Sequence, residues 1–350
     1  MPDGYFYRAL VLRVRGAEEP EALRRVFQGP LTAEDRAEEA GLQPFERKLG
    51  NPDWVRESAQ FYERRWVVPI LAAPLEGRLG DKGLRAVSLA GYVVLAPLLY
   101  LLLRLWFPLR IALPAAAVLL LVEPLRTWSS SPLTDSWGLV LATAALAFGC
   151  LALTRGPRWL VPWTVTILVL GFTRDLTLVL VGAAALAALL ERTRATLALA
   201  ATGVVAALPA PLLFGAPLKA AIAYPLNGYY PVDDPSWSYI ADRYVGGVKH
   251  LVKADLGYLA EHPFSAGVLV AGTIALALLR PPGAARTFVW AAVPAALAYL
   301  FVTPNDTDFR LELAFLPLAA LGLGAAAMRL DAARGTGPRE VPQHSRAAAR

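Results

Sequence analysis

The sequence predicts an all-α fold, a polytopic transmembrane helical bundle with a small polar extracytoplasmic N-terminal region. Hydrophobic residues make up 56% of the 350-residue chain, above the roughly 45–50% that is typical of soluble domains. They are concentrated in runs of about 17–21 residues, each long enough to cross about 30 Å of hydrocarbon as a helix. The runs are continuous in Ala, Leu and Gly rather than alternating, which excludes the strands of a membrane barrel.

Residues 1–82 are polar and charged and contain no run long enough to span. We expect them to form an extracytoplasmic region with amphipathic helices. Nine hydrophobic segments follow, at 84–103, 107–123, 137–153, 159–173, 175–190, 195–214, 263–279, 284–303 and 310–328. The fourth and fifth are short enough to be tilted, broken or re-entrant. The predicted transmembrane bundle therefore occupies 83–328, with a long outer loop at 215–262, and a basic tail at 329–350 that we expect to be disordered.

The distribution of arginine predicts the orientation of this bundle, because uncompensated positive charge stays in the cytoplasm. Connections with an excess of arginine alternate along the chain with connections that carry acidic residues. The arginine-rich connections contain Arg104 and Arg110, Arg155 and Arg158, Arg192 and Arg194, Arg280 and Arg286, and the tail with Arg329, Arg334, Arg339, Arg346 and Arg350. We therefore predict a multi-pass protein of the cell (inner) membrane whose tail is cytoplasmic.

The acidic connections are predicted to lie outside, and the alternation places residues 1–82 outside as well. They contain Glu123 and Asp135, Arg174 and Asp175, the 215–262 loop, and Asp306 and Asp308. Because an outer N-terminal region needs an export signal, we expect one more spanning helix upstream of Met1.

Composition excludes several classes of function. The net charge of +6 is distributed between hydrophobic segments, where it reports topology, and so we predict no nucleic-acid partner. Cys150 is the only cysteine, which excludes disulfides within the chain and cysteine-based metal sites. His250 and His262 are too far apart for a close-spaced metal motif. Gly-rich phosphate loops, serine nucleophile elbows and paired-histidine zinc motifs are absent.

Two aspartates are candidates for catalysis at the outer surface. Asp3 precedes the aromatic residues Tyr5, Phe6 and Tyr7, a combination that can stack on sugar faces while the carboxylate acts as a base. The alternative is a solvated terminal aspartate. Asp135 follows a Ser- and Thr-rich stretch and opens an apolar run. It is equally consistent with a helix cap, and both roles can hold together.

Two positions combine arginine with an outer segment boundary. Arg174-Asp175 interrupts an apolar stretch and is either a self-compensating ion pair or a functional broken-helix site. Arg310 enters the last segment, and its planar guanidinium suits phosphate oxygens. An interfacial anchor or a partner of Glu312 is the alternative for Arg310.

The outer loop is rich in aromatic residues near acidic ones. This density is typical of an interfacial belt, and it is also typical of a carbohydrate groove. The aromatic residues are Tyr224, Tyr229, Tyr230, Trp237, Tyr239 and Tyr244.

Four short motifs, in this order, resemble those of a known family. They are Asp3-Gly4-Tyr5, the arginine-rich stretch Tyr62–Ala72, Thr134-Asp135 at the start of a helix, and Phe309-Arg310 through Pro317. The chain thereby resembles bacterial C-type (GT-C) membrane glycosyltransferases, and in particular their actinobacterial-type members. The likeness extends over nearly the whole chain, without the first transmembrane helix.

This resemblance implies a hexosyl or pentosyl transferase that moves a sugar from a polyprenyl-phosphate donor to an extracytoplasmic acceptor. The acceptor is a glycan, lipid or protein of the cell envelope, and membrane lipid is a further partner. Asp3 and Asp135 would be the catalytic acids. No cofactor follows from the sequence, and a requirement for a divalent metal is left open. The substrate-binding candidates are Arg310, Arg64, Arg65, Arg174, Asp175, Tyr5 and Tyr7.

Two other classes of function are consistent with the sequence. A transporter or lipid flippase usually places ionisable groups near the bilayer midplane and often shows repeats. Here the charges lie at segment ends and no repeat is evident, which favours chemistry at the surface. A non-catalytic membrane scaffold is the second alternative, and juxtamembrane arginines such as Arg64 and Arg65 can bind lipid head groups in any of these classes.

Overall fold

The computed structural model describes residues 3–27, 51–80, 82–214, 216–279, 283–302, 304 and 310–335. These residues form helices and no strand, which confirms the all-α prediction for them. The motif at Asn305–Phe309, with Asp306 and Asp308, lies outside the described residues. So do Arg280, Arg339, Arg346, Arg350 and all of the predicted tail beyond Gly335.

The described residues of the N-terminal region form four helices: α1 (Asp3–Val14), α2 (Glu19–Phe27), α3 (Pro52–Ala59) and α4 (Val67–Leu79). The first three enclose a small aromatic core in which Phe6 packs against Phe27 and Trp54. The opposite face of α1 buries Tyr7, Leu10 and Val11 in the main core. The N-terminal helices are therefore packed onto the bundle.

The first half of the bundle contains eight helices. They are α5 (Lys82–Arg104), α6 (Leu109–Leu120), α7 (Glu123–Ser130), α8 (Asp135–Arg155), α9 (Leu160–Gly171), α10 (Thr177–Glu191), α11 (Arg194–Ala207) and α12 (Pro209–Phe214). Helix α8 packs against α5, against α9 and against the later helix Gly283–Val302. Most of its side chains are buried. This central position explains why the apolar residues of α8 surround the helix instead of forming a stripe.

The second half begins with the predicted outer loop, most of which is helical. It contains α13 (Leu218–Leu226) and α14 (Trp237–Glu261), and it is followed by α15 (Pro263–Ala275), α16 (Gly283–Val302) and α17 (Leu316–Gly335). Short 3₁₀ turns extend α15 at Leu276–Leu278 and precede α17 at Leu311–Phe315. Helix α17 continues past residue 329, where the sequence predicts the tail to start.

Among the described residues, five helical stretches are long and apolar enough to cross a membrane, and the bent pair α14–α15 would be a sixth. The five are Lys82–Arg104, Asp135–Arg155, Arg194–Phe214, Gly283–Val302 and Leu311–Arg334. Helices α6 and α10 are apolar but shorter. Every predicted hydrophobic segment overlaps a helix, and the length and composition of these helices indicate a membrane-embedded protein.

Side-chain contacts divide the helix ends between two ends of the bundle. At one end, Arg110 in the first turn of α6 binds Asp331 near the end of α17 at 2.7 Å, and Thr287 near the start of α16 donates to Glu191 at the end of α10. At the other end, Arg310 before α17 binds Asp135 at the start of α8 at 2.7 Å. This other end contains the positions that the sequence predicts to be extracytoplasmic, and we call it the Asp135 end of the bundle.

Candidate functional site

Arg310 is the centre of a charge cluster at the Asp135 end. Its Nε and Nη2 donate to the two carboxylate oxygens of Asp135 at 2.8 and 2.7 Å, and its Nη1 donates to Asp3 Oδ2 at 2.5 Å. The guanidinium carbon also lies 5.0 Å from the ring centroid of Trp128. One arginine therefore joins α1 to α8 at the start of the last helical stretch.

Asp135 is held by a second arginine from a third part of the chain. Arg174 Nη2 lies 2.9 Å from Asp135 Oδ1, and both side chains are less than 10% exposed. Gly138, one turn along α8, makes room for this arginine, because a Cβ at Gly138 would lie 3.1 Å from the Cβ of Arg174. The carboxylate of Asp135 is thus bound by two arginines, while the N-cap residue of α8 is Thr134.

Arg64 and Arg65 form the more exposed edge of the same cluster. Both bind Asp175, Arg65 through Nη2 at 3.4 Å. Arg65 Nη1 also donates to the hydroxyl of Tyr7 at 2.7 Å, and that hydroxyl lies 3.3 Å from Thr134 Oγ1. The adjacent residues Arg174 and Asp175 therefore contact different partners, which replaces the simple self-compensating pair considered from sequence.

Tyr62 links the aromatic core of the N-terminal region to the cluster. Its hydroxyl donates to Asp3 Oδ1 at 2.9 Å, and its ring stacks on Phe6 with centroids 4.4 Å apart. Burial raises the pKa of Tyr62, and the negative charge of Asp3 raises it further, so the phenol remains a hydrogen-bond donor. Tyr62 belongs to the arginine-rich stretch Tyr62–Ala72 but has no role predicted from the sequence, and Trp128 belongs to none of the predicted motifs.

The cluster contains four arginines and three aspartates among the described residues, a net charge of +1. Burial alone raises the pKa of Asp3, but the charge and hydrogen bond of Arg310, with the charge of Arg65, lower it to about 2. Asp3 is therefore ionised throughout the physiological range. Its side chain is 18% exposed, against 5% for Asp135, which makes Asp3 the more accessible of the two acids.

One cavity lies within the cluster, and a second lies next to it along α1. A small one of about 10 Å³ touches Asp135, Arg174, Tyr299 and Arg310, which is room for about one water molecule. A larger one of about 200 Å³ is lined by one face of α1 and by α4, with polar atoms from Tyr5, Arg8 and Glu76. The charged groups thus meet in a closed cluster, and the larger cavity lies beside it.

Eight of the nine predicted site residues meet in this cluster, and Tyr5 lines the larger cavity. The aromatic residues of the outer loop cover the N-terminal region: Tyr224 stacks on Phe61 at 4.1 Å between centroids, and Trp54 Nε1 donates to the backbone oxygen of Tyr229 at 2.7 Å.

In the described part of the chain no group of three or more His, Cys, Asp or Glu side chains is placed to hold a metal ion.

Comparisons of the chain with protein-family models, with curated proteins and with solved structures return no match.

Proposed function

We propose that the protein is a membrane glycosyltransferase of the GT-C type, which transfers a hexose or pentose from a polyprenyl-phosphate donor to an acceptor of the cell envelope. In this proposal nine segments span the cell membrane, residues 1–82 lie outside and the tail is cytoplasmic. The observation that supports it is the cluster itself, in which distant parts of the chain bring three carboxylates and four arginines together at the Asp135 end.

The excess positive charge of the cluster suits the phosphate of a lipid-linked donor. Arg64 is 27% exposed and Arg65 is 13% exposed, whereas Arg174 and Arg310 are less than 10% exposed. Arginine binds phosphate oxygens through paired N–H groups. We therefore assign the first contact with the donor phosphate to Arg64 and Arg65, at the edge that a lipid headgroup can reach.

Asp3 is the proposed base. An acceptor hydroxyl attacks the anomeric carbon, the bond from that carbon to the phosphate oxygen breaks, and the phosphate leaves with the electron pair. The hydroxyl proton passes to Asp3. Positive charge from the arginines stabilises the leaving phosphate, and Asp135 holds the Arg310 guanidinium in place from the opposite side.

In the proposed mechanism, Arg310 links binding of the donor phosphate to activation of Asp3 as the base. With Arg310 bound, the pKa of Asp3 is about 2, which makes a weak base. A donor phosphate that competes for Nη1 of Arg310 would release Asp3, and the loss of that partner would raise the pKa of the carboxyl toward its ordinary range. The base would then become stronger only when the donor is bound.

The larger cavity is the proposed position of the sugar-bearing group. It lies against Gly4 and Tyr5, next to Asp3 in the chain, and its mixed lining of an aromatic ring, an arginine and a carboxylate is suited to hydroxyl groups. Glu76 Oε2 is buried and has no hydrogen-bond donor among the described residues. A hydroxyl of the substrate would satisfy this oxygen.

Replacement of the acids tests the transfer reaction. Asp3→Asn and Asp135→Asn should abolish transfer of radiolabelled sugar from polyprenyl-phosphate donors in membranes, with unchanged membrane insertion. Asp53→Asn is the matched control, because Asp53 belongs to the same region but is exposed and pairs with Arg56 on the surface. Transfer that survives in both cluster variants would reject the assigned roles.

Binding of the carrier lipid gives a separate test. Purified protein should bind undecaprenyl phosphate more tightly than undecaprenol, which has the same chain without the charge. Arg64→Gln and Arg65→Gln should reduce this difference about tenfold each, as expected for loss of a charge-assisted hydrogen bond. Arg56→Gln is the control on the exposed helix α3. Equal binding of the two lipids would remove the phosphate site from the proposal.

A non-catalytic scaffold is the second candidate, and the closed state of the cluster favours it. A buried network of this kind can fix the docking of α1 on the bundle without chemistry. In that case the cluster variants lose stability while the wild-type protein neither binds undecaprenyl phosphate nor transfers sugar. A transporter or flippase has less support, because the cluster lies at helix ends and not midway along them.

A further inference from the structure

Helix α14 (Trp237–Glu261) is the longest helix among the described residues, and little of it is buried. Its 25 residues correspond to about 37 Å at 1.5 Å per residue. Only Ile240 and Leu251 are fully buried. Most apolar side chains of α14 are therefore not covered by the core, and they need another apolar environment.

Three contacts fix α14 across the Asp135 end of the bundle. Near its start, Tyr239 donates to Asn227 Oδ1 at 2.9 Å, and Tyr244 donates to the backbone oxygen of Phe301 at the end of α16. Near its own end, Tyr258 donates to Glu123 at the start of α7. Since α14 contacts the ends of two separate helices, it crosses the end of the bundle.

The corner between α14 and α15 is also held in place. The two helices meet at an angle of 113° with only His262 between them. The backbone N–H of Glu123 donates to Ser265 Oγ in the first turn of α15 at 2.9 Å, so Glu123 contacts both arms of the corner. If α15 enters the membrane, α14 must run close to the membrane plane.

The exposed surface of α14 is divided into an apolar stripe and a polar face. The stripe consists of Trp237, Val245, Val252 and Leu256, which are 44–61% exposed and fall within about 100° of arc at 3.6 residues per turn. Beside it lie the exposed charged residues Asp242, Lys249 and Lys253. Such a stripe bordered by lysines is typical of helices that lie in a membrane interface.

We propose that α14 is an interfacial helix whose apolar stripe is inserted into the lipid surface at the Asp135 end, about 5–10 Å into the boundary of headgroups and acyl chains. Continuity favours lipid over a protein occupant, because the neighbouring helix α15 also exposes Phe264, Val270 and Ile274. Lys249 and Lys253 then reach the headgroups with their amines. This inference is independent of sugar transfer and requires only that the bundle is embedded in a bilayer.

Fluorescence quenching by lipid tests the insertion directly. In a Cys150→Ala background, single cysteines carry an environment-sensitive label in proteoliposomes made with phosphatidylcholine brominated on its acyl chains. Val245→Cys and Gly246→Cys form one matched pair, and Val252→Cys and Lys253→Cys form a second. Each pair compares a stripe position with its neighbour on the polar face, and Gly246 has open space for a side chain.

The label at 245 and 252 should be quenched roughly twofold or more strongly than the label at 246 and 253, as expected for groups on opposite sides of the interface. Leu256→Cys and Gly257→Cys replace either pair if one of its variants fails to fold. Equal quenching within the pairs would overturn the proposal. The proposal would also be overturned if labels at 245 and 252 are not quenched by the brominated lipid and cysteines at these positions cross-link to a second copy of the chain. The apolar stripe would then be covered by protein.

Discussion

Asp135 is a single buried residue that should contribute strongly to the free energy of unfolding, because it neutralises two buried arginines. It is 5% exposed and binds Arg174 and Arg310. Removal of one partner from a buried ion pair leaves the other charge without compensation, which typically costs about 3–5 kcal/mol. We expect Asp135→Ala to lower the free energy of unfolding by about that amount, measured by denaturation in detergent. The exposed Asp53→Ala should change it by no more than about 0.5 kcal/mol, and equal effects would contradict the buried network.

The low pKa of Asp3 predicts a defined pH dependence. Because this pKa falls from 3.8 to about 2 on folding, the carboxylate stabilises the protein fully above pH 4, and that contribution is lost as the pH falls toward 2. Asp3→Asn should therefore cost about 2 kcal/mol at pH 7. The difference in unfolding free energy between wild type and variant should shrink below pH 4. A difference that stays constant from pH 7 to pH 2.5 would show that Asp3 is not held by Arg310.

Sequence reasoning identified most members of the cluster but not their contacts. Asp135, Arg174 and Arg310 were recognised because a charge at the edge of an apolar segment is unusual. The partner expected for Arg310 was phosphate or Glu312, and the structure adds two carboxylates, which lie 175 and 307 residues away in the chain. Tyr62 lies in a recognised motif but was given no role, and Trp128 was missed, because an aromatic residue in a mixed stretch has no distinctive pattern. Their roles depend on tertiary neighbours.

At the scale of elements, hydrophobic segments located helices well, while amphipathic helices were harder to recognise. All nine segments overlap helices, because burial or lipid exposure on every side leaves a continuous apolar run. The sequence indicates only a long aromatic outer loop at 215–262, to which no helix was assigned, but this loop contains α14. The hydrophobic stripe of α14 is narrow and interrupted by lysines and glycines, so that its period is weak in the sequence.

The contact between α15 and α17 depends on two glycines. A Cβ at Gly322 would lie 1.8 Å from the backbone oxygen of Gly272 and 2.7 Å from the backbone nitrogen of Leu276. Backbone atoms cannot rotate away, so the helices would have to separate. We expect Gly322→Ala to destabilise the protein by about 1–3 kcal/mol or more, measured by thermal unfolding in detergent.

Gly267→Ala on α15 is the matched control for this contact. No atom lies within 4 Å of a Cβ at Gly267, and alanine has a higher helix propensity than glycine by up to about 1 kcal/mol. The control should be neutral or more stable than wild type. If both variants behave alike, close approach of the two backbones does not hold α15 and α17 together.

At the scale of the whole molecule, the alternation of charges predicted which helix ends share a side of the bundle. Asp3, Asp135, Asp175 and Arg310 meet at one end, and Arg110 meets Asp331 at the other. The sequence predicts this grouping because each predicted spanning helix carries the chain to the opposite side of the membrane, so that successive connections alternate between the two ends. The compartment that each end faces depends on insertion into a membrane, and the positive-inside rule supplies it as a prediction.

Cysteine accessibility in intact cells tests that orientation. Thr127 on α7 is exposed at the Asp135 end, and Ala332 on α17 is exposed at the opposite end, next to Asp331. In a Cys150→Ala background, Thr127→Cys should react with a membrane-impermeant maleimide in intact cells, whereas Ala332→Cys should react only after permeabilisation. We expect the arginine-rich second end to stay in the cytoplasm because transfer of arginine across the bilayer is costly. The reverse labelling pattern would move the charge cluster to the cytoplasmic side, where an extracytoplasmic acceptor could not reach Asp3.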